Sequence, residues 1–268
     1  MQYQGSATIA GTTYFVTGAE ITITRDPIRP ALVWGGGWKV NYATGQLKAE
    51  FSISFPLFSS YLTALKAIAF HPGRDNFFNA TLDNGGISVA YTNAKVQSIS
   101  FSADAMANTP ITCTLRCVSE DGVPSAHNAS PGTPVQTLGQ TPIPSYAVVC
   151  TVGGGDTGTI PSNTITRFDI NVDNDPFRLF TLDGDYRAAD IQEGLQVVTG
   201  SFAYYSGANG VNTGVITNGN ISLSGGITLT IPSFVVTNDS NPIDSPSNKP
   251  MRILSFEAFG TATTPPIS

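Results

Sequence analysis

One four-residue phrase in this chain returns, and its neighbours return with it. Asp26-Pro27-Ile28-Arg29 comes back as Asp175-Pro176-Phe177-Arg178. Ile21 and Ile23 come back as Ile170 and Val172, and Gly45 as Gly194. The alternation Phe51, Ile53, Phe55 returns as Gly200, Phe202, Tyr204, every pair lying 149 positions apart. A second block recurs at a spacing of 140: Gly85-Gly86-Ile87 as Gly225-Gly226-Ile227, Val96 as Val236, and Asn108-Thr109-Pro110 as Asn248-Lys249-Pro250. Two blocks in the same order at steady offsets predict a tandem duplication, since chance likeness does not keep its spacing. The expected organisation is a first β domain over 1–118, a Pro/Ser/Thr-rich linker over 119–145, a second β domain over 146–260, and a flexible tail over 261–268.

Both copies read as strands. Apolar and polar residues alternate in Ala19–Thr24, Gln46–Phe55, Gly86–Tyr91, Val96–Ala103 and Ile111–Val118. They alternate again in Ile165–Val172, Leu195–Tyr205, Gly226–Ile231, Phe234–Thr237 and Met251–Phe259. Period-two patterning of this length is the signature of half-buried strands. Asp83-Asn84-Gly85-Gly86 and Ser224-Gly225-Gly226 read as hairpin turns, because Asn and Gly tolerate positive φ. One helix is expected, over Ser59–Ala69, with Ser59 as its N-cap and Tyr61, Leu62, Leu65 and Ile68 on one face. The second copy is shorter where the first has this helix, which explains the drop in offset. The fold class expected is therefore mainly β: two tandem β-sandwich or barrel domains, with one short helix in the first.

Charge limits what such a chain can bind. Charged residues make up 12% of it and the net charge is -6, against a globular average of ~25% charged. Residues 1–120 carry a net +1 and residues 121–268 a net -7. An acidic surface does not attract phosphate backbones, so sequence-reading nucleic-acid binding is not expected. Three cysteines, Cys113, Cys117 and Cys150, are too few and too far apart for a disulfide framework and read as buried thiols. The amino terminus lacks the pattern of a signal peptide, and no apolar run reaches the length of a membrane span.

The search for chemistry returns little. His71 and His127 are the only histidines, with no second histidine at metal-ligand spacing. No serine stands in a Gly-x-Ser-x-Gly elbow, and neither Gly35-Gly36-Gly37 nor Gly153-Gly154-Gly155 leads into a phosphate-binding helix. Asp173-Asn174-Asp175 and Asp183-Gly184-Asp185 carry oxygen ligands suited to calcium, but without EF-hand spacing. Recurrence of Asp-Pro in both copies favours a turn instead. No cofactor and no catalytic residue is expected.

The stretch Ile165–Tyr205 resembles the tail tube (major tail) proteins of long-tailed bacteriophages. The resemblance rests on a strand ending in Asn174-Asp175, a long loop over Pro176–Asp190, the turn Ile191-Gln192-Glu193-Gly194, and the strand opening Val198-Thr199-Gly200-Ser201-Phe202. The first copy departs from it, with Tyr42-Ala43-Thr44-Gly45 and Ala49-Glu50-Phe51-Ser52-Ile53. The resemblance implies a β-sandwich that closes into rings through continuous sheet, stacking into a tube around a lumen for viral DNA. Duplication implies three chains supplying six domains, a pseudo-hexamer.

It further implies that the loops Pro27–Thr44 and Pro176–Glu193 are arms toward neighbours. That makes Arg29, Trp34, Trp38, Arg178 and Tyr186 candidate inter-subunit or inter-ring residues. The acidic residues Asp173, Asp183, Asp185, Asp190 and Glu193 are candidates for the lumen wall. Implied partners are further copies of the chain, other tail proteins (tape measure, tail terminator, baseplate or tip) and DNA in transit, with no membrane. The implied location is the virion tail, after assembly in the bacterial cytoplasm. Two alternatives stand beside this reading. One is another tail component of the same fold: an initiator, terminator or distal tail protein. The other is a carbohydrate-binding β-sandwich using Trp34 and Trp38 as sugar platforms.

Overall fold

The computed structural model describes residues 5–25, 45–70, 76–83, 87–126, 141–153, 160, 162–182, 185–205, 218–240, 251–260 and 265–268. Among the described residues antiparallel strands predominate. In the first half these are β1 (Gly5–Ile9), β2 (Thr12–Val16), β3 (Gly18–Arg25), β4 (Leu47–Pro56), β5 (Phe78–Asp83), β6 (Ile87–Asp104) and β7 (Thr112–Ala126), with helix α1 (Ser59–Ala69) after β4. In the second half they are β8 (Val149–Gly153), β9 (Ile165–Asp173), β12 (Val197–Tyr205), β13 (Asn218–Ser224), β14 (Leu229–Ser240) and β15 (Met251–Ala258). A small hairpin, β10 (Phe177–Leu179) with β11 (Asp190–Gln192), stands apart from the main sheet.

The pairing order is the same in both halves. The first runs β3-β4-β7-β6-β5-β1, and the second β9-β12-β15-β14-β13-β8. The irregularities also correspond. The β6–β7 ladder shifts register between Val96 and Ser98, and the β14–β15 ladder between Val236 and Asn238. The β5–β6 ladder shifts between Phe78 and Ala80, and the β13–β14 ladder between Gly219 and Ile221. Such bulges bend a sheet at chosen points. One ladder joins the halves: the C-terminal part of β6 pairs with β9, Ser98 opposite Asp173 and Asp104 opposite Arg167.

Alternation gives each sheet a dry face. On β4, Leu47, Ala49, Phe51, Ile53 and Phe55 are buried while the residues between them are not. Strands β1, β2 and β5 fold over this face, so that Tyr14 lies 5.1 Å from Phe55 and 4.7 Å from Tyr61, ring centre to ring centre. In the second half the same hydrophobic cluster continues through Phe202, Phe234 and Phe256, with Phe234 5.3 Å from Phe256. Each such ring contributes roughly 1.5–3 kcal/mol by leaving water. Helix α1 has the expected bounds and buries Tyr61, Leu62, Leu65, Ile68 and Ala69. Its N-cap is Phe58, one residue before the expected Ser59, and no side chain caps it.

Several expectations change in detail. Ile87–Tyr91 and Val96–Ala103 belong to one bent strand, β6, as do Leu229–Ile231 and Phe234–Thr237 to β14, which begins three residues after the expected Gly226. The bulges broke the alternation without ending the strands. Residues 119–126 of the expected linker continue β7 along β6. At its other end Ile143 is buried and bonds Leu57 and Ile111 through its backbone. The expected flexible tail is docked at its end. Ile267 is fully buried, and Ser268 exchanges two backbone hydrogen bonds with Thr230. The three cysteines are free and buried. Gly225 and Gly226 have φ of 90° and 99°, as their turn requires. Among the described residues no helix is long and apolar enough to cross a membrane.

Candidate assembly surface

Period-two alternation that buries one face leaves the other to water, and here that face is hydroxyl-rich. One ladder row crosses both halves: Ser54, Thr114, Ser100, Asn171, Thr199, Glu257. The next runs Pro56, Thr112, Ser102, Asp169, Ser201, Ser255, Asn238. Another runs Glu20, Ser52, Arg116, Ser98, Asp173. Carboxylates outnumber bases here: Glu20, Glu50, Asp104, Asp169, Asp173 and Glu257 against Lys48, Arg116, Arg167 and the buried Lys95. The short side chains tie one another down. Ser54 and Thr114 hydroxyls lie 3.1 Å apart, and Ser102 donates to Asp169 at 2.6 Å. Arg167 Nε donates to the other Asp169 oxygen at 2.8 Å. A shallow groove of about 390 Å³ follows the face across β6, β9, β12, β14 and β15.

The arm of the second half lies back on the first half. Arg178 donates through Nη1 to Glu50 at 3.0 Å and through Nη2 to the Ala49 carbonyl at 2.8 Å. Tyr186 is held on both sides: its carbonyl accepts from Leu47 N–H at 2.8 Å, and the Arg25 guanidinium lies 4.1 Å over its ring. Arg187 pairs with Asp121 at 2.9 Å. Beneath the arm, Lys95 is only 2% exposed, 3.5 Å from Glu193 and 4.3 Å over the Phe77 ring. Burial raises the Glu193 carboxyl above its ordinary range, and the Lys95 charge offsets part of that rise. Asn174, also buried, donates to the carbonyls of Ala69 and Val96 and accepts from Gln196 at 2.9 Å. The loop thereby fastens itself to the C-terminal end of α1.

The expected site residues part company here. Asp173 lies on the polar face. Its Oδ1 accepts from Asp175 N–H at 3.0 Å, a turn started by the Asp173 side chain, and Asp175 has a positive φ of 41°. Asp185 is exposed in the arm, accepting from Arg187 N–H. Asp190 and Glu193 stand where the arm meets the first half. Arg178 and Tyr186 contact the first half of their own chain. Arg29, Trp34, Trp38, Asp183, His71 and His127 lie outside the described residues. Sequence reasoning missed Glu20, Glu50, Asp169 and Glu257 as members of the polar face. The signal was present in Ser52-x-Ser54, Ser98-x-Ser100-x-Ser102 and Thr112-x-Thr114, whose every second residue is a small hydroxyl.

A continuous antiparallel sheet of two like-ordered halves, with one dry face and one hydroxylated face, defines a mainly β protein of the sandwich class. The family model described as phage tail tube protein matches residues 42–264, and the chain belongs to that family. The family is structural and non-enzymatic, and its members are components of the virion tail. No curated protein matches the chain.

Proposed function

We propose that this protein is the tube-forming subunit of a phage tail. Copies of the chain join edge to edge into rings, three chains supplying six duplicated domains, and the rings stack into a tube. The hydroxyl-rich face lines the lumen through which DNA passes. The observation that carries this reading is the sheet that runs unbroken from the first half into the second, in the same strand order, beneath a polar and net acidic face. Serine, threonine and asparagine on that wall offer DNA weak, replaceable contacts, and excess carboxylates repel its phosphates. The lumen assignment thus moves from the acidic arm to Glu20, Glu50, Asp169, Asp173 and Glu257. The arms, with Arg178 and Tyr186 in one and Arg29, Trp34 and Trp38 in the other, brace one domain against its neighbour. Assembly takes place in the bacterial cytoplasm together with other tail proteins.

Negative-stain electron microscopy of the purified protein tests this. Rings or tubes with a central hole are expected. A protein that stays monomeric under all assembly conditions tried, up to high concentration, overturns it.

A further inference from the structure

The ladder between β6 and β9 has a counterpart with no partner. In the shared strand order, β14 occupies the place of β6 and β3 the place of β9. Among the described residues, β3 pairs with β4 alone, and Asn238–Ser240 of β14 pair with β15 alone. Exposure marks both edges as unfinished. Phe168, Ile170 and Val172 on β9 are 5%, 2% and 0% exposed. Their counterparts Ala19, Ile21 and Ile23 are exposed or half-buried. On the other edge Lys95 and Val96 are buried, while Val235 is 43% exposed and Val236 half-buried. An unpaired strand edge is a template for another chain.

We infer that the β3 edge of one copy pairs antiparallel with Asn238–Ser240 of a second copy, in the register that β6 and β9 already use. This rests on the proposed self-assembly and specifies its joint. Ser98 opposite Asp173 becomes Asn238 opposite Thr24, and Ser100 opposite Asn171 becomes Ser240 opposite Thr22. The occupant is a second copy because the chain already contains the complementary half of this joint, once, in its interior.

The two joints differ in one respect. Ile99, apolar and buried inside the chain, corresponds to exposed Asp239, which is held by Arg252 Nε at 2.7 Å. An inward-turned ion pair on an open edge discourages indiscriminate strand addition. The joint between copies is therefore more polar than the joint within a chain.

Paired cysteines test the register. Directly opposed Cβ atoms lie ~4.5–5.5 Å apart and diagonal ones ~7–8 Å, and only the former approach disulfide geometry. The variants are T24C/N238C and T22C/S240C in register, with T22C/N238C and T24C/S240C out of register. S100C/N171C serves as the internal reference. Each is confirmed by electron microscopy to form rings under reducing conditions, then oxidised. The native cysteines are buried and contribute little background. In-register pairs should give a ladder of covalent oligomers ending at three chains, at least fivefold more than the out-of-register pairs. S100C/N171C should close within single chains. Rings without in-register enrichment overturn this joint and leave the proposed function standing. A wild type that forms no rings fails the function itself. Should the variants not fold, a density map of the wild-type assembly reads the strand order directly, and any neighbour other than β3 beside Asn238–Ser240 overturns the inference.

Discussion

The two halves solve one packing problem with opposite choices. At matching ladder positions the first half sets Phe51 opposite Cys117, and the second sets Gly200 opposite Phe256. The ring has changed strands, and the small residue has gone the other way. A Cβ on Gly200 would overlap the Asp169 carbonyl and lie 2.5 Å from the Phe256 ring. What both halves keep is volume between paired strands, not residue identity, as expected of interiors packed close to crystal density. This is how Phe51 and Gly200 can hold matching ladder positions although nothing in their chemistry agrees.

That comparison can be broken most sharply at Gly200. G200V should destabilise the second half by about 3 kcal/mol, because backbone rather than a mobile side chain fills the site. Urea unfolding would show it. G200F should be worse alone than with F256C, since the pair restores the arrangement of the first half. If the double variant is no better than G200F, the exchange of volumes is wrong.

Alkaline pH separates the halves next. Burial pushes the Tyr14 and Tyr91 hydroxyls well above their ordinary range and the Cys150 thiol up to about 12. Each group is therefore favoured in its neutral form by folding. Stability from this source is complete below about pH 9 and is lost as pH climbs toward 12 and beyond. In the first half burial raises the Cys113 and Cys117 thiols as well, so thiols in both halves begin to titrate over the same range and the first half carries the two tyrosines besides. Circular dichroism and amide exchange on a pH series should show the first half loosening at least as early as the second.

The arm offers a smaller effect. R178M removes the bond to the Ala49 carbonyl and the pair with a partly exposed Glu50. It should cost about 1.5 kcal/mol and raise exchange in β10 and β11 before the rest of the sheet. Smallest of all, S54A on the hydroxylated face should change stability by less than about 0.5 kcal/mol, although its neighbours Ile53 and Phe55 are fully buried. A large loss there would mean that the polar face is structural rather than a wetted wall.

Sequence made the alternating strands legible because burial of one face writes itself into every second residue. The helix was legible for the same reason at a different period. What it hid was long-range or short. Strands β1, β2, β5, β8 and β13 are five to seven residues long and went unread, although β5 carries the alternation in Phe78, Ala80 and Leu82. The docked tail offers a single buried apolar side chain, Ile267, and its backbone bonds to Thr230 leave no mark in the sequence. The polar face was hidden by attention to clustered charge: Asp183, Asp185 and Asp190 are conspicuous neighbours in sequence. The carboxylates that share a wall, Glu20, Glu50, Asp169 and Glu257, come from strands far apart in the chain. Only the ladder registers bring them together.

The central claim is that two unlike halves occupy equivalent places in one closed sheet. A cross-section of the assembled particle by electron cryo-microscopy tests it most directly. Three chains per ring are expected, with halves alternating around six positions, β3 beside β14 at every joint between copies, and Ser100 and Asn171 on the inner wall. Six chains per ring, or a lumen lined by the opposite face of the sheet, would contradict it.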